Sequence, residues 1–279
     1  MIFNLHFMVL KKFLTLIALL PLLLFFFSCA KKPVVNESAF IIVPHWQEVK
    51  LGDQAAKAIL KKEKPVKDPR YTERVKRVFQ RLLAALPPKY RKAYEWKVYV
   101  IDRKEINAFA LPNGNIFVFK GLLDFVKDDD ELAAVLGHEM AHVILRHGAE
   151  KLSWATLAQL GEYALLIKVP PANRQLAAQL YEAGVNIAFL LPYSRQQEME
   201  ADIVGVLLMM RAGFNPEGAV ELWDRMVKEF KGKEPPEWLS DHPASEHRLE
   251  YIRKVVQFLK AHPQYVEKFE IPKKLLEGA

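Results

Sequence analysis

Residues 128–148 read Asp-Asp-Asp-Glu-Leu-Ala-Ala-Val-Leu-Gly-His-Glu-Met-Ala-His-Val-Ile-Leu-Arg-His-Gly, and the fold turns on them. Asp128, Asp129 and Asp130 suit an N-cap and a negative first turn. The apolar run behind them predicts a helix from Glu131 to about His147, with Gly148 as its stop. Inside it, His138-Glu139-Met140-Ala141-His142 spells HExxH. Spacing i, i+4 puts both imidazoles on one helix face, one turn apart, where they can chelate a single cation. Glu139 projects beside them, within reach of a water held by that cation. Two surface histidines beside a capping acid would need a polar face. Here the neighbours are Ala133, Ala134, Val135, Leu136, Val143 and Ile144. Buried imidazoles without partners are costly, and metal ligation satisfies them.

A third ligand is required. Six residues after the second histidine stands Gly148, so an all-histidine arrangement with that spacing fails. His147 is five residues on, points to another side of the helix, and reads as a C-terminal helix cation. A carboxylate from a later helix fits better. Tyr193-Ser194-Arg195-Gln196-Gln197-Glu198-Met199-Glu200-Ala201-Asp202 carries three acids in five residues. Glu198 and Asp202 share a face at i, i+4 and Glu200 points away, which suits one ligand and one partner orienting an imidazole N–H. A solvated, acid-rich helix start is the plainer reading of this segment taken alone.

Outward from this centre the pattern is mainly helical. Ala56, Ile59 and Leu60, then Val75, Val78, Phe79 and Leu82, recur at helical spacing until Pro87-Pro88. Glu95–Ile101 and Asn115–Lys120 alternate as strands around the turn Pro112-Asn113-Gly114, and the second is a candidate edge for an extended peptide. Trp154–Val169 is apolar apart from Glu162 and Lys168, and reads as a buried or groove-lining helix. A helix from about Ser194 to Ala212 stops at Gly213, and Asn215-Pro216 starts the next. A Lys/Pro/Glu linker (231–237) leads to His242-Pro243 and a last helix bearing Leu249, Ile252, Val255, Val256 and Leu259. The expected fold is α+β, a mainly helical zincin-like domain with a small sheet beside the HExxH helix.

The N-terminus differs in kind. Lys11-Lys12, an apolar run Phe13–Phe27 and Ser28-Cys29-Ala30 describe a secretory signal with a lipobox-like end. Phe26 stands where leucine is usual, and an uncleaved anchor is the alternative. Cys29 is the one cysteine of the chain and the candidate acylation site, so no disulfide is expected. Ala30 after it suggests outer-membrane sorting. The division expected is residues 1–28 signal, 29–50 tether, 51–265 metallopeptidase domain and 266–279 tail. With 51% hydrophobic and 26% charged residues a sizeable core is assured. The net charge of +7 is scattered, without a basic block interleaved with aromatics, so nucleic acid is not implied.

Asn107-Ala108-Phe109-Ala110, Pro112-x-Gly114, Gly121-Leu122-Leu123, Gly137-His138-Glu139-x-x-His142 and Ser194-Arg195-x-x-Glu198-x-x-Ala201-Asp202-x-x-Gly205 occur in that order. Over roughly residues 50–260 this resembles the zinc metalloendopeptidase family of HtpX, CAAX prenyl proteases and mitochondrial Oma-type proteases, and looks most like its periplasmic lipoprotein members (BepA/LoiP-like). The resemblance implies one Zn2+ held by His138, His142 and Glu198, with Glu139 as catalytic base and Asp202 behind the ligands. It also matches His242-Pro243 and Arg248 to a late His-Pro and Arg. His242 then has a role at the zinc, assisting or capping it, or else merely caps the last helix. His242, Arg248 and Tyr193 are the oxyanion candidates. The implied partners are polypeptide substrates, a membrane through the lipid anchor, and the outer-membrane protein assembly machinery. A non-proteolytic zinc hydrolase and a latched envelope chaperone or scaffold are the rival readings. From a length of 279 residues, no helical-repeat extension like that of longer members is expected.

Overall fold

Two helices that touch backbone to backbone organise the molecule. In a computed structural model, residues 29–185 and 191–276 are described. In chain order the elements begin with β1 (Cys29–Lys31), β2 (Ser38–Phe40), α1 (His45–Lys62), α2 (Pro69–Ala85) and α3 (Pro88–Arg91). Next come β3 (Lys97–Ile101), β4 (Ala108–Ala110), β5 (Asn115–Phe119), α4 (Lys120–Phe125), α5 (Asp129–Ile144), α6 (His147–Leu166) and α7 (Arg174–Val185). The chain continues with α8 (Leu191–Arg211), α9 (Glu217–Phe230), α10 (Glu237–Asp241), α11 (Glu246–Ala261), α12 (Pro263–Lys268) and α13 (Lys273–Leu276). The mainly helical α+β expectation holds.

α5 is the HExxH helix and starts as its acids predict: Asp128 caps it, accepting from the Glu131 N–H at 2.9 Å. It is buried around nearly its whole circumference, and α8 crosses it where Gly137 faces Gly205. A Cβ on Gly205 would stand 2.9 Å from the His138 nitrogen, so only glycine permits this approach. The crossing is what carries the acids of α8 to the histidines of α5. α2 and α11 complete the core with the faces read from their spacing, Val75, Val78, Phe79 and Leu82 on one and Leu249, Ile252, Val255, Val256 and Leu259 on the other. Each such buried side chain contributes about 1.5–3 kcal/mol.

The sheet has the order β3-β5-β4, with β3 parallel and β4 antiparallel to β5. β5 is therefore the central strand, buried along all its residues, and cannot receive a substrate strand. The outer strand packed against α5 is β4.

Several expectations need correction. Gly148 does not end the HExxH helix. The break falls at Arg146, in the left-handed region with φ 59°, and α6 begins at His147. Buried Glu48 accepts from Arg146 Nε at 2.8 Å and the Val43 carbonyl from an Arg146 Nη at 3.1 Å, and these bonds hold the turn where glycine was expected to make it. The Trp154–Val169 helix is not buried: along α6 and the turn after it Leu160, Tyr163 and Ile167 are exposed, as are Leu176 and Leu180 on α7, with which α6 pairs. No helix among the described residues is long and apolar enough to cross a membrane.

The expected tether and tail are both docked. Val35, Ala39 and Val43 are buried at one end of the chain, Phe269 and Ile271 at the other, and the Ile271 N–H donates to the Val34 carbonyl at 3.2 Å. Residues 1–28, the expected signal, and the Cys29 side chain lie outside the described residues.

Candidate metal centre

One turn of α5 separates His138 from His142, and their Nε2 atoms are 3.0 Å apart. The crossing at Gly205 delivers Glu198, whose Oε2 is 3.3 Å from His138 Nε2 and whose Oε1 is 3.5 Å from His142 Nε2. Behind the short α10 stands His242, with Nδ1 2.7 Å from Glu198 Oε2 and 3.2 Å from His138 Nε2. One donor atom from each of these four residues lies within 4.8 Å of the others. His242 Nε2 is also 3.5 Å from Glu139 Oε1, and that carboxylate oxygen accepts from Trp238 Nε1–H at 3.1 Å.

Each histidine of the pair is backed by a carboxylate. His138 Nδ1 is 3.0 Å from Asp202 Oδ1. Arg248 grips Asp202 through Nε (2.6 Å) and Nη2 (2.8 Å), and lies 3.9 Å over the Trp223 ring. Its Nη2 is also 3.1 Å from Glu198 Oε2, and its Nη1 donates to the Pro243 carbonyl at 3.2 Å. Every guanidinium nitrogen is thus engaged, the side chain is buried, and its contacts hold the two carboxylates in place.

His142 is backed less directly. Its Nδ1 is 2.8 Å from His147 Nδ1, and His147 Nε2 is 3.0 Å from Glu200 Oε2. A carboxylate only accepts, so His147 donates from Nε2. Burial pushes the His147 imidazole down, toward its neutral form. Its Nδ1 then accepts from His142 Nδ1–H, which leaves the His142 Nε2 lone pair facing His138. His147 is therefore not a helix-end cation, and Glu200, which does point away from the histidine pair, points to a partner. Sequence reasoning also missed Trp238. The one available signal for His147 and Glu200 was the third acid of the α8 trio standing beside an HExxH motif.

The donor set fits a cation. Two imidazole nitrogens face each other at contact distance, and buried Glu198 Oε1 has no hydrogen-bond partner. Burial works against charge on His138, yet Asp202 and Glu198 outweigh it and raise the imidazole to about 9. Burial likewise works against charge on Glu198, and His142 and Arg248 outweigh it and hold the carboxyl well below its usual range.

Residues 69–256 match the sequence model of peptidase family M48. The chain belongs to that family. Membership implies a metal, typically zinc, for the cluster of His138, His142, Glu198 and His242.

Among curated proteins, the mitochondrial metalloendopeptidase OMA1 of Schizosaccharomyces pombe is 35% identical over 231 residues, 81% of this chain and 65% of that protein. Human mitochondrial metalloendopeptidase OMA1 is 37% identical over 58% of this chain and 32% of its own length. The beta-barrel assembly-enhancing protease of Escherichia coli K12 is 27% identical over 78% of this chain and 45% of its own. The chain thus spans 32 to 65% of the length of these relatives. The Tyr193 side chain lies outside the described residues.

Proposed function

We propose that this M48 chain is a zinc-dependent metalloendopeptidase in which His138, His142 and Glu198 hold one zinc ion and Glu139 is the catalytic base. The reading rests on one observation: three donor atoms on two crossing helices converge beside a buried, hydrogen-bonded Glu139 carboxylate. Zinc, when bound, polarises the scissile carbonyl and acidifies a water. Trp238 aims the Glu139 carboxylate, which takes the proton of the attacking water and returns it to the leaving amine as the C–N bond breaks. Asp202 orients His138, and Arg248 keeps Asp202 and Glu198 ionised and fixed. With Arg248 committed, His242 is the oxyanion candidate of the three whose side chain is both described and uncommitted to Asp202. An extended substrate adds to β4, the outer strand beside α5.

His242 occupies the space between third ligand and base, bonded to Glu198, which supports a latched resting state. As a latch His242 would leave with its segment when substrate enters, and as an oxyanion donor it would stay, so the two roles are alternatives. This latch is also what the scaffold reading would need.

The substrates we assign are misfolded or unassembled envelope proteins, with the outer-membrane assembly machinery as partner. Support is the likeness to the Escherichia coli beta-barrel assembly-enhancing protease and the signal-like sequence ending at Cys29. Acylation there would tether residues 29 onward to the outer membrane, facing the periplasm.

Zinc content and cleavage of an unfolded polypeptide, wild type against Glu139→Gln, test the reading. Zinc retained with cleavage lost is expected. A wild type that binds zinc but cleaves nothing favours the scaffold, and a wild type without zinc overturns the assignment.

A further inference from the structure

The segment taken from sequence to be a tether sends a charged side chain to the back of the metal centre. Lys32 lies three residues beyond the candidate acylation site Cys29 and is 1% exposed. Its Nζ donates to both oxygens of Glu200, at 2.9 and 2.7 Å, and stands 3.3 Å from Glu150 Oε2. Gln196 Nε2 donates to Glu200 Oε1 at 2.9 Å, and Gln197 Nε2 to Glu150 Oε2 at 2.8 Å. Glu200 is the carboxylate that sets which nitrogen of His147 accepts from His142.

A buried ammonium is expensive to desolvate, and docking alone is served better by an apolar side chain, as Val35, Ala39 and Val43 serve it along the same segment. What the ammonium adds is position. Without a cation on both its oxygens, Glu200 is free to rotate, and a turned carboxylate no longer compels His147 to donate from Nε2.

We propose that Lys32 is a positioning residue of the metal centre, clamping Glu200 so that His147 accepts from His142 Nδ1–H and His142 keeps its Nε2 lone pair for the metal. This rests on the reading of His142 as a ligand. It makes the N-terminal strap part of the metal centre: the Lys32–Glu200 contact spans 168 residues of sequence and crosses from the β1–β2 turn to α8.

The test uses the full chain. Zinc affinity is read by chelator competition, and ligand geometry by the visible spectrum of the cobalt(II)-substituted protein. Lys32→Met and Glu200→Gln are each expected to weaken zinc binding about 10-fold and to shift the cobalt spectrum. Lys32→Arg restores the cation and most of the affinity. Val35→Ala loosens the same strap without touching the relay, and is expected to lower the melting temperature while leaving zinc affinity unchanged. The proposal is overturned if Lys32→Met loses stability but keeps wild-type affinity and spectrum, or if Val35→Ala weakens zinc as much as Lys32→Met does. Should Lys32→Met not fold, Glu200→Gln decides: unchanged affinity and spectrum in that variant reject the relay. A wild type that binds no zinc rejects the metallopeptidase reading itself, whereas a zinc-binding wild type with insensitive variants rejects only the role of Lys32.

Discussion

His138 and His142 sit one turn apart on one helix, yet they are held by different means. His138 is backed in one step, by an aspartate from α8 that an arginine from α11 grips with two nitrogens. His142 is backed in two, by His147 from the start of α6 and then Glu200 from α8, pinned by a lysine from the N-terminal strap. The first support joins three helices of the central core. The second gathers a turn and the N-terminal strap around the same α8. In both, an imidazole is oriented by a carboxylate that a buried cation keeps ionised, so the end of the device is common and the route differs. A one-step support leaves little slack, and a relay adds a joint at which the ring can drift.

The largest effect should come from breaking the shorter support. Asp202→Ala strips buried Arg248 of its bidentate partner and His138 of its orienting carboxylate. A loss of about 3–5 kcal/mol in denaturant unfolding of the zinc-free protein is expected, together with zinc affinity weakened about 10- to 100-fold.

His147→Phe should cost less. It removes one joint but leaves the Lys32–Glu200 pair intact, and the His142 side chain, 12% exposed, has access to water as a replacement acceptor. We expect about 1–2 kcal/mol of stability and a smaller loss of zinc affinity than in Asp202→Ala. If His147→Phe proves the more damaging of the two, the relay carries more than the direct support and the comparison inverts.

The smallest effect is a difference between two substitutions at the turn that aims His147. Arg146→Ala loses the pair with Glu48 and keeps a Cβ in the left-handed region, whereas Arg146→Gly loses the same pair and relieves the strain. Thermal unfolding should rank glycine above alanine by roughly 1 kcal/mol. Alanine equal to or better than glycine would mean that the turn relaxes out of its left-handed form once the arginine is gone.

Legibility followed distance along the chain. The cap at Asp128, the HExxH face and the apolar stripes of α2 and α11 are repeats of three or four residues, and helix geometry alone converts such spacing into a common face. Glu198 became a ligand candidate because an acidic pair at i, i+4 stood downstream, and it was singled out only through resemblance to a family. The left-handed Arg146 was hidden because its conformation depends on an ion pair to Glu48, and Gly148 offered the locally cheaper turn. Arg248 stayed a candidate for either supporting the ligands or donating to an oxyanion, because no spacing announces that its nitrogens are all taken.

By itself, then, the sequence determined that a helix carries two histidines on one face with a glutamate beside them, that acids lie on another helix, and that the stripes of α2 and α11 are buried. Only the tertiary structure decided that Glu198 meets the histidines, that Trp238 aims Glu139 across 99 residues, and that His147, Glu200 and Lys32 stand in line behind His142. Local spacing is translated into geometry by the backbone's own period. Contacts across 99 or 168 residues are set by which surfaces pack, here by the glycine crossing of α5 and α8 and by the burial of the N-terminal strap.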